Sequence, residues 1–210
     1  GPDGGRILKQ PTPFSDDGRV VEGNFRAEFH DETDADPAGP PGKTPDSAAM
    51  KAEFTDPQGN EYRVVLDHVV KPPFPGYETD GGVMLDDVHH GSTGTGTPLM
   101  PQVWTVGAFW GVGEVYVNGE LEAPRQVMHL MTSETVRTTD YSLAQQADMP
   151  LSPDQWHVAE QPHHTHLIVL PVAPTDRGPA FSPVPTAFEL PNGETQPFMH
   201  IMFEQDTVVK

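Results

Sequence analysis

The chain has 210 residues, 31 acidic against 12 basic side chains, a net charge of −19 and no cysteine. Such a surface repels phosphate backbones and anionic bilayers, which excludes nucleic-acid binding as a main role and is compatible with a cationic partner or ion. Without cysteine there is no disulfide, iron–sulfur cluster, thiolate zinc site or blue-copper centre.

Glycine and proline make up about a fifth of the chain and are dispersed, as in a turn-rich β protein. No apolar run approaches the ~20 residues of a membrane-spanning helix, so no direct transmembrane segment is expected. Gly1-Pro2 looks like the scar of a tag-removing protease. An exported protein freed of its signal peptide would look the same, and the expected compartment is periplasmic or extracellular.

Residues 1–19 are polar and read as a flexible N-terminal arm or tether. Residues 20–210 read as a single β-sandwich domain. Alternation around Phe25, Ala27 and Phe29 predicts a first strand over 20–30. The acidic, Pro-rich stretch 31–47 reads as a long loop. Residues 50–70 carry a hairpin signal: Ala52 to Thr55, the turn Asp56-Pro57-Gln58-Gly59-Asn60, then Tyr62, Val64 and Leu66 on one parity. Residues 78–101 read as an irregular Gly-rich segment, without the spacing of a phosphate-binding loop.

Residues 103–116 are apolar but hold Gly107, Gly111 and Gly113. In a helix each would cost about 1 kcal/mol. In a strand they mark bulges or close backbone approach, so a strand is expected. Asn118-Gly119 is the strongest hairpin signal in the chain. The return strand is expected to start near Pro124 and to run through His129. Residues 141–148 are the one candidate short helix. A strand is expected over 164–172, a Pro-rich loop over 174–186, and a second Asn-Gly hairpin pairing 187–190 with 197–203. Eight to ten such strands define an all-β fold: an antiparallel β-sandwich, Greek-key and cupredoxin-like or jelly-roll-like, with long Pro/Gly-rich loops and at most one short helix.

The chain carries 10 His and 8 Met. Within the strand-like runs, His129 and Met131, His164 and His166, and His200 and Met202 form three pairs at i, i+2. Strand alternation puts each pair on one face, roughly 6–7 Å apart at Cα. Imidazole and thioether suit copper, and Cu(I) in particular accepts Met sulfur. These six residues are therefore the candidate metal ligands, with copper favoured and zinc the other candidate. A second candidate is Asp86, Asp87, His89 and His90, where carboxylates and imidazoles adjoin in one segment. Met also fills core gaps, and a strand His is often only hydrogen-bonded, so the pairs amount to a site only if their strands are neighbours.

His129-Leu130-Met131 and His200-Ile201-Met202 resemble the His-x-Met fragment of periplasmic copper chaperones of the cupredoxin-like kind, while the remaining spacing does not match. The cupin pattern wants Glu after His-x-His, where this chain has Leu170 and Pro171. No Gly-x-Ser-x-Gly elbow is present. The expected function is transition-metal binding in metal handling or an accessory role, without turnover. The alternative is a non-catalytic interaction or assembly subunit of a larger complex, which could be membrane-associated, without metal.

Overall fold

The structure, a computed structural model, describes residues 20–32, 44–70, 82–90, 93, 103–134, 163–189, 192–203 and 206–210. The arm expected at 1–19, the helix expected at 141–148 and much of the 31–47 loop lie outside the described residues. Eleven strands are described: β1 (Glu22–His30), β2 (Ser47–Thr55), β3 (Glu61–Val69), β4 (Val83–His89), β5 (Val103–Val117), β6 (Glu120–Glu134), β7 (His163–Val169), β8 (Val172–Thr175), β9 (Gly178–Phe181), β10 (Met199–Phe203) and β11 (Thr207–Val209). The described residues contain no helix, and so none long and apolar enough to cross a membrane.

The fold is all-β and sandwich-like, made by one curled sheet. Nine strands form it in the order β10-β7-β6-β5-β3-β2-β1-β11, with β4 also paired to β5. β5 is the spine. Its C-terminal half pairs with β3, its N-terminal half with β4, and its other edge with β6. The sheet curls until its ends meet: Phe203 of β10 packs on Phe25 of β1, ring centroids 5.1 Å apart, although the two strands stand near opposite ends of the order. β11 follows at once and pairs in parallel with β1 at the far edge. The Asp206 carboxylate between β10 and β11 is buried, bonds the Thr165 hydroxyl and lies 2.8 Å from His163 Nε2. It ties this crossing to β7.

The core lies inside the curl. One parity of each strand supplies it, as with Phe25, Ala27 and Phe29 of β1, Met128 and Leu130 of β6, and Leu167 and Val169 of β7. Hairpin chemistry sets the ladders. Asp56 accepts hydrogen bonds from the Gln58 and Asn60 amides, and the Asn60 side chain donates 2.8 Å to its other oxygen. Burial pushes the Asp56 carboxyl up, but the bonds from Asn60, Tyr62 and Gln58 outweigh this and hold it below its ordinary value. Asn118 and Gly119 have φ of 50° and 86°, the paired positive values of a type I′ turn.

Several expectations need correction. Residues 83–89 form β4, not an irregular segment; the ladder to β5 steps over Asp86, whose φ is 50°. Residues 172–181 form the β8–β9 hairpin, where a Pro-rich loop was expected. Pro174 faces Pro179 there, and a two-stranded ladder leaves edges where a missing N–H costs nothing. The strand expected over 164–172 ends at Val169, before Pro171. β6 starts at Glu120 because the type I′ turn feeds it directly, and the register shifts beside β5 accommodate Pro124. Residues 187–190 are not the partner of 197–203. Among the described residues the two runs meet through the bridge Glu189–Thr195, the Gln196 amide to Phe188 carbonyl bond, the Thr186 hydroxyl to Gln196 carbonyl bond and the Val184 amide to Pro197 carbonyl bond, and no ladder continues, since Pro197 has no N–H to extend it. The partner of β10 is β7. One strand pair, β1 with β11, is parallel rather than antiparallel.

The glycines of β5 permit the curl. A Cβ on Gly111 would lie 2.6 Å from the His68 carbonyl oxygen and 2.7 Å from a Leu66 methyl. Backbone cannot yield there as a flexible side chain can. Gly111→Ala should therefore lower the unfolding free energy by about 2–4 kcal/mol, read from denaturant midpoints at unchanged slope. A loss below ~0.5 kcal/mol would show that β5 tolerates side chains on that rung.

Candidate functional site

β6, β7 and β10 are consecutive neighbours in the sheet. Their inward parity is mainly hydrocarbon, though buried Gln126, Thr132 and Thr165 also lie on it. Their outward parity carries all six candidate strand ligands. The ladders place Met131 opposite His166, and His166 opposite Met202. The adjacent rung holds Trp110, His129, Ile168 and His200 in order, and the next places Ser133 opposite His164. Directly opposed side chains in such a ladder have Cβ atoms about 5 Å apart. One imidazole, His166, thus sits between two thioethers.

This face is not open surface. His164 is fully buried and His166 and Met131 nearly so, while His200 and Met202 are half-buried. The imidazoles bond to one another. His166 Nε2 lies 2.9 Å from His164 Nε2, and His166 Nδ1 lies 3.0 Å from His200 Nε2. A neutral His166 donates through one nitrogen and accepts through the other, so the three rings form a directional chain. The His164 and His166 rings meet edge to face at 4.4 Å between centroids.

His129 is held differently. Its Nδ1 is 3.1 Å from the Phe109 carbonyl oxygen. A carbonyl only accepts, so Nδ1 carries the proton and Nε2 keeps its lone pair. Fixing one nitrogen on protein oxygen in this way is how proteins prepare the other as a ligand. The ring stacks on Trp110 at 4.4 Å and 19°. Burial pushes His129 down to about 3, and His89, His90 and His200 all lie close enough to oppose its protonation, partly offset by the Phe109 carbonyl.

The second candidate set divides. His89 and His90 are buried, with ring centroids 5.4 Å apart, and His89 Nδ1 lies 3.2 Å from the Thr105 hydroxyl. The carboxylates go elsewhere. Asp86 is exposed and pairs with Lys210, and Asp87, also exposed, accepts the Val88 amide at 2.6 Å. The structure thus buries His89 and His90 side by side and leaves Asp86 and Asp87 outside. Trp110, Thr105 and the Phe109 carbonyl were not foreseen. Trp110 has the same parity as Ala108, and the Asn-Gly turn directs that parity toward His129.

Among the described residues no three His, Asp or Glu side chains already converge on one point as a bound ion requires. In the arrangement described, the nitrogens of His166 are turned to its neighbours. No protein-family model, curated protein or solved structure matches this chain.

The protonation state of this face has a consequence for stability. His129 is pushed down to about 3 and His90, by burial and then by His89, to about 4. The unfolded chain titrates these groups near 6.5, so between those values it binds more protons than the native state. Stability is then complete above pH ~6.5 and is lost as pH falls, by up to about 1.4 kcal/mol per pH unit for each group. Urea unfolding between pH 7 and pH 4 should show this decline, and His129→Gln should make it shallower. An identical slope in the variant would show that His129 is not held neutral.

Proposed function

We propose that the protein binds copper, as Cu(I), through the outward face of β6, β7 and β10, in metal handling or an accessory role. The observation that supports this is one rung: Met131, His166 and Met202 are direct cross-strand partners on three successive strands. Thioether sulfur is a soft donor with little affinity for Zn(II) or Mg(II), and it suits Cu(I). His164 and His200, each about 3 Å from a nitrogen of His166, supply further imidazole to the same locus.

The surroundings agree with such a role. Burial lowers the local dielectric and keeps water from competing for the ion. The net charge of −19 draws cations toward the molecule without selecting among them. A binding role also needs no general acid or base with open access to substrate, and these imidazoles are engaged with one another.

The test is competition for Cu(I) against a chromophoric chelator under anaerobic conditions, with untagged full-length protein. Wild type should take up at least one Cu(I) per chain. Met131→Leu with Met202→Leu should weaken Cu(I) by about 10–100-fold while leaving the fold intact, because Leu conserves volume. His166→Ala should abolish this binding. Uptake below about a tenth of an equivalent at micromolar metal would overturn the reading, as would a Met pair variant that binds as tightly as wild type.

A further inference from the structure

We infer that Met202 is a modification site: hydrogen peroxide converts it to the sulfoxide, and this reversibly weakens the Cu(I) locus of β6, β7 and β10. The inference rests on the copper reading proposed above and adds the regulation of that same locus.

The first observation is unequal access along one rung. Met131 and Met202 both stand opposite His166, one on each side. Met131 lies on β6, between two paired strands, and is buried. Met202 lies on β10, at the end of the strand order, and is half-buried. The other described methionines, Met50, Met84, Met128 and Met199, are buried as well. An oxidant dissolved in water therefore meets Met202 in the folded state, while a buried thioether waits for the structure to open.

The second observation is how β10 is anchored. Its inward residues Met199, Ile201 and Phe203 belong to the core, and its backbone is laddered to β7 from Met199 to Phe203. Phe203 also packs on Phe25 and Phe54. Met202 has the opposite parity, so β10 keeps its core contacts whatever the state of that sulfur. Oxidation there changes the donor set of the outward rung and leaves the strand in place.

The third observation is chemistry. The Met202 sulfur lone pair attacks one peroxide oxygen, the O–O bond breaks, and the departing hydroxide takes the proton from the transferred hydroxyl. Methionine gains an S=O oxygen and loses two electrons, and the peroxide is reduced to water. The product side chain is polar and presents a hard oxygen, where Cu(I) favours soft sulfur. The lone pair consumed by peroxide is the one a thioether offers to a metal.

The experiment treats metal-free, untagged full-length protein with a modest excess of hydrogen peroxide and removes the excess with catalase. Tandem mass spectrometry then locates the added oxygen, and anaerobic chelator competition measures Cu(I) affinity. Met202 should carry the oxygen before Met128, Met131 or Met199 does. Cu(I) affinity should fall about 10-fold with an unchanged far-UV circular dichroism spectrum, and methionine sulfoxide reductases should restore it. Met202→Leu starts without this sulfur, so peroxide should not weaken it further, whereas Met131→Leu should keep the peroxide response. Oxygen appearing on Met131 as early as on Met202 overturns the proposal and leaves the copper reading standing. So does oxidised protein that has lost its β signal or binds Cu(I) as tightly as before, or a Met202→Leu variant whose affinity still falls. Untreated protein that takes up no Cu(I) overturns the copper reading and this proposal with it.

Discussion

The arrangement depends on one constraint, the shared register of β6, β7 and β10. Backbone hydrogen bonds fix which residues stand opposite, and the pleat then sends alternate side chains to opposite faces. Met128, Leu130, Leu167, Val169, Met199, Ile201 and Phe203 go inward. Met131, His166 and Met202 go outward on one rung, and His129 and His200 on the next. A slip of one residue on any strand would bury its imidazoles in the hydrocarbon core and expose its core residues. The hydrophobic face therefore holds the histidine face in place, since driving force on one side sets geometry on the other.

The curl of the sheet extends this logic. β5 is long enough to pair with three strands, and its glycines let backbones approach where any side chain would collide. Phe29 lies over Gly107, and the Gly113 position faces the Val65 carbonyl and the Met128 sulfur. β10 and β11 are adjacent in sequence but occupy opposite edges, so the chain itself carries the closure, with buried Asp206 bonded to β7 at the crossing. Tyr62 joins the first hairpin to the 182–188 segment. Its hydroxyl donates to Asp56 and accepts the Ala187 amide, and burial pushes it up to about 12.

Local chemistry was legible wherever a turn determined it. Asp56-Pro57-Gln58-Gly59-Asn60 and Asn118-Gly119 each specify a hairpin from within a handful of residues, and both form. β4 was missed because its signals conflict: glycines precede it, Asp86-Asp87 interrupts its apolar pattern, and its partner among the described residues, β5, lies beyond a further segment. The Asn192-Gly193 turn was read correctly, with Gly193 at φ of 82°, but its ladder is short because Pro197 stops it. Proline punctuation was thus underweighted there, and overweighted in β8–β9, where Pro174 and Pro179 sit within a ladder.

The sequence by itself determined which side chains share a face, because alternation is a property of a single strand. It therefore named His129 with Met131, His164 with His166, and His200 with Met202. Only the tertiary structure decided that these pairs meet, because pairing of distant strands is set by the closure of the whole sheet. The Asn118-Gly119 turn alone would place His129 opposite Ala108; irregularities between Gly113 and Tyr116 move it to Trp110 with its parity kept. Tertiary structure likewise separated His89 and His90 from Asp86 and Asp87. His89 and the positive-φ His90 are both buried, while solvent retains the carboxylates, whose burial without partners would cost several kcal/mol.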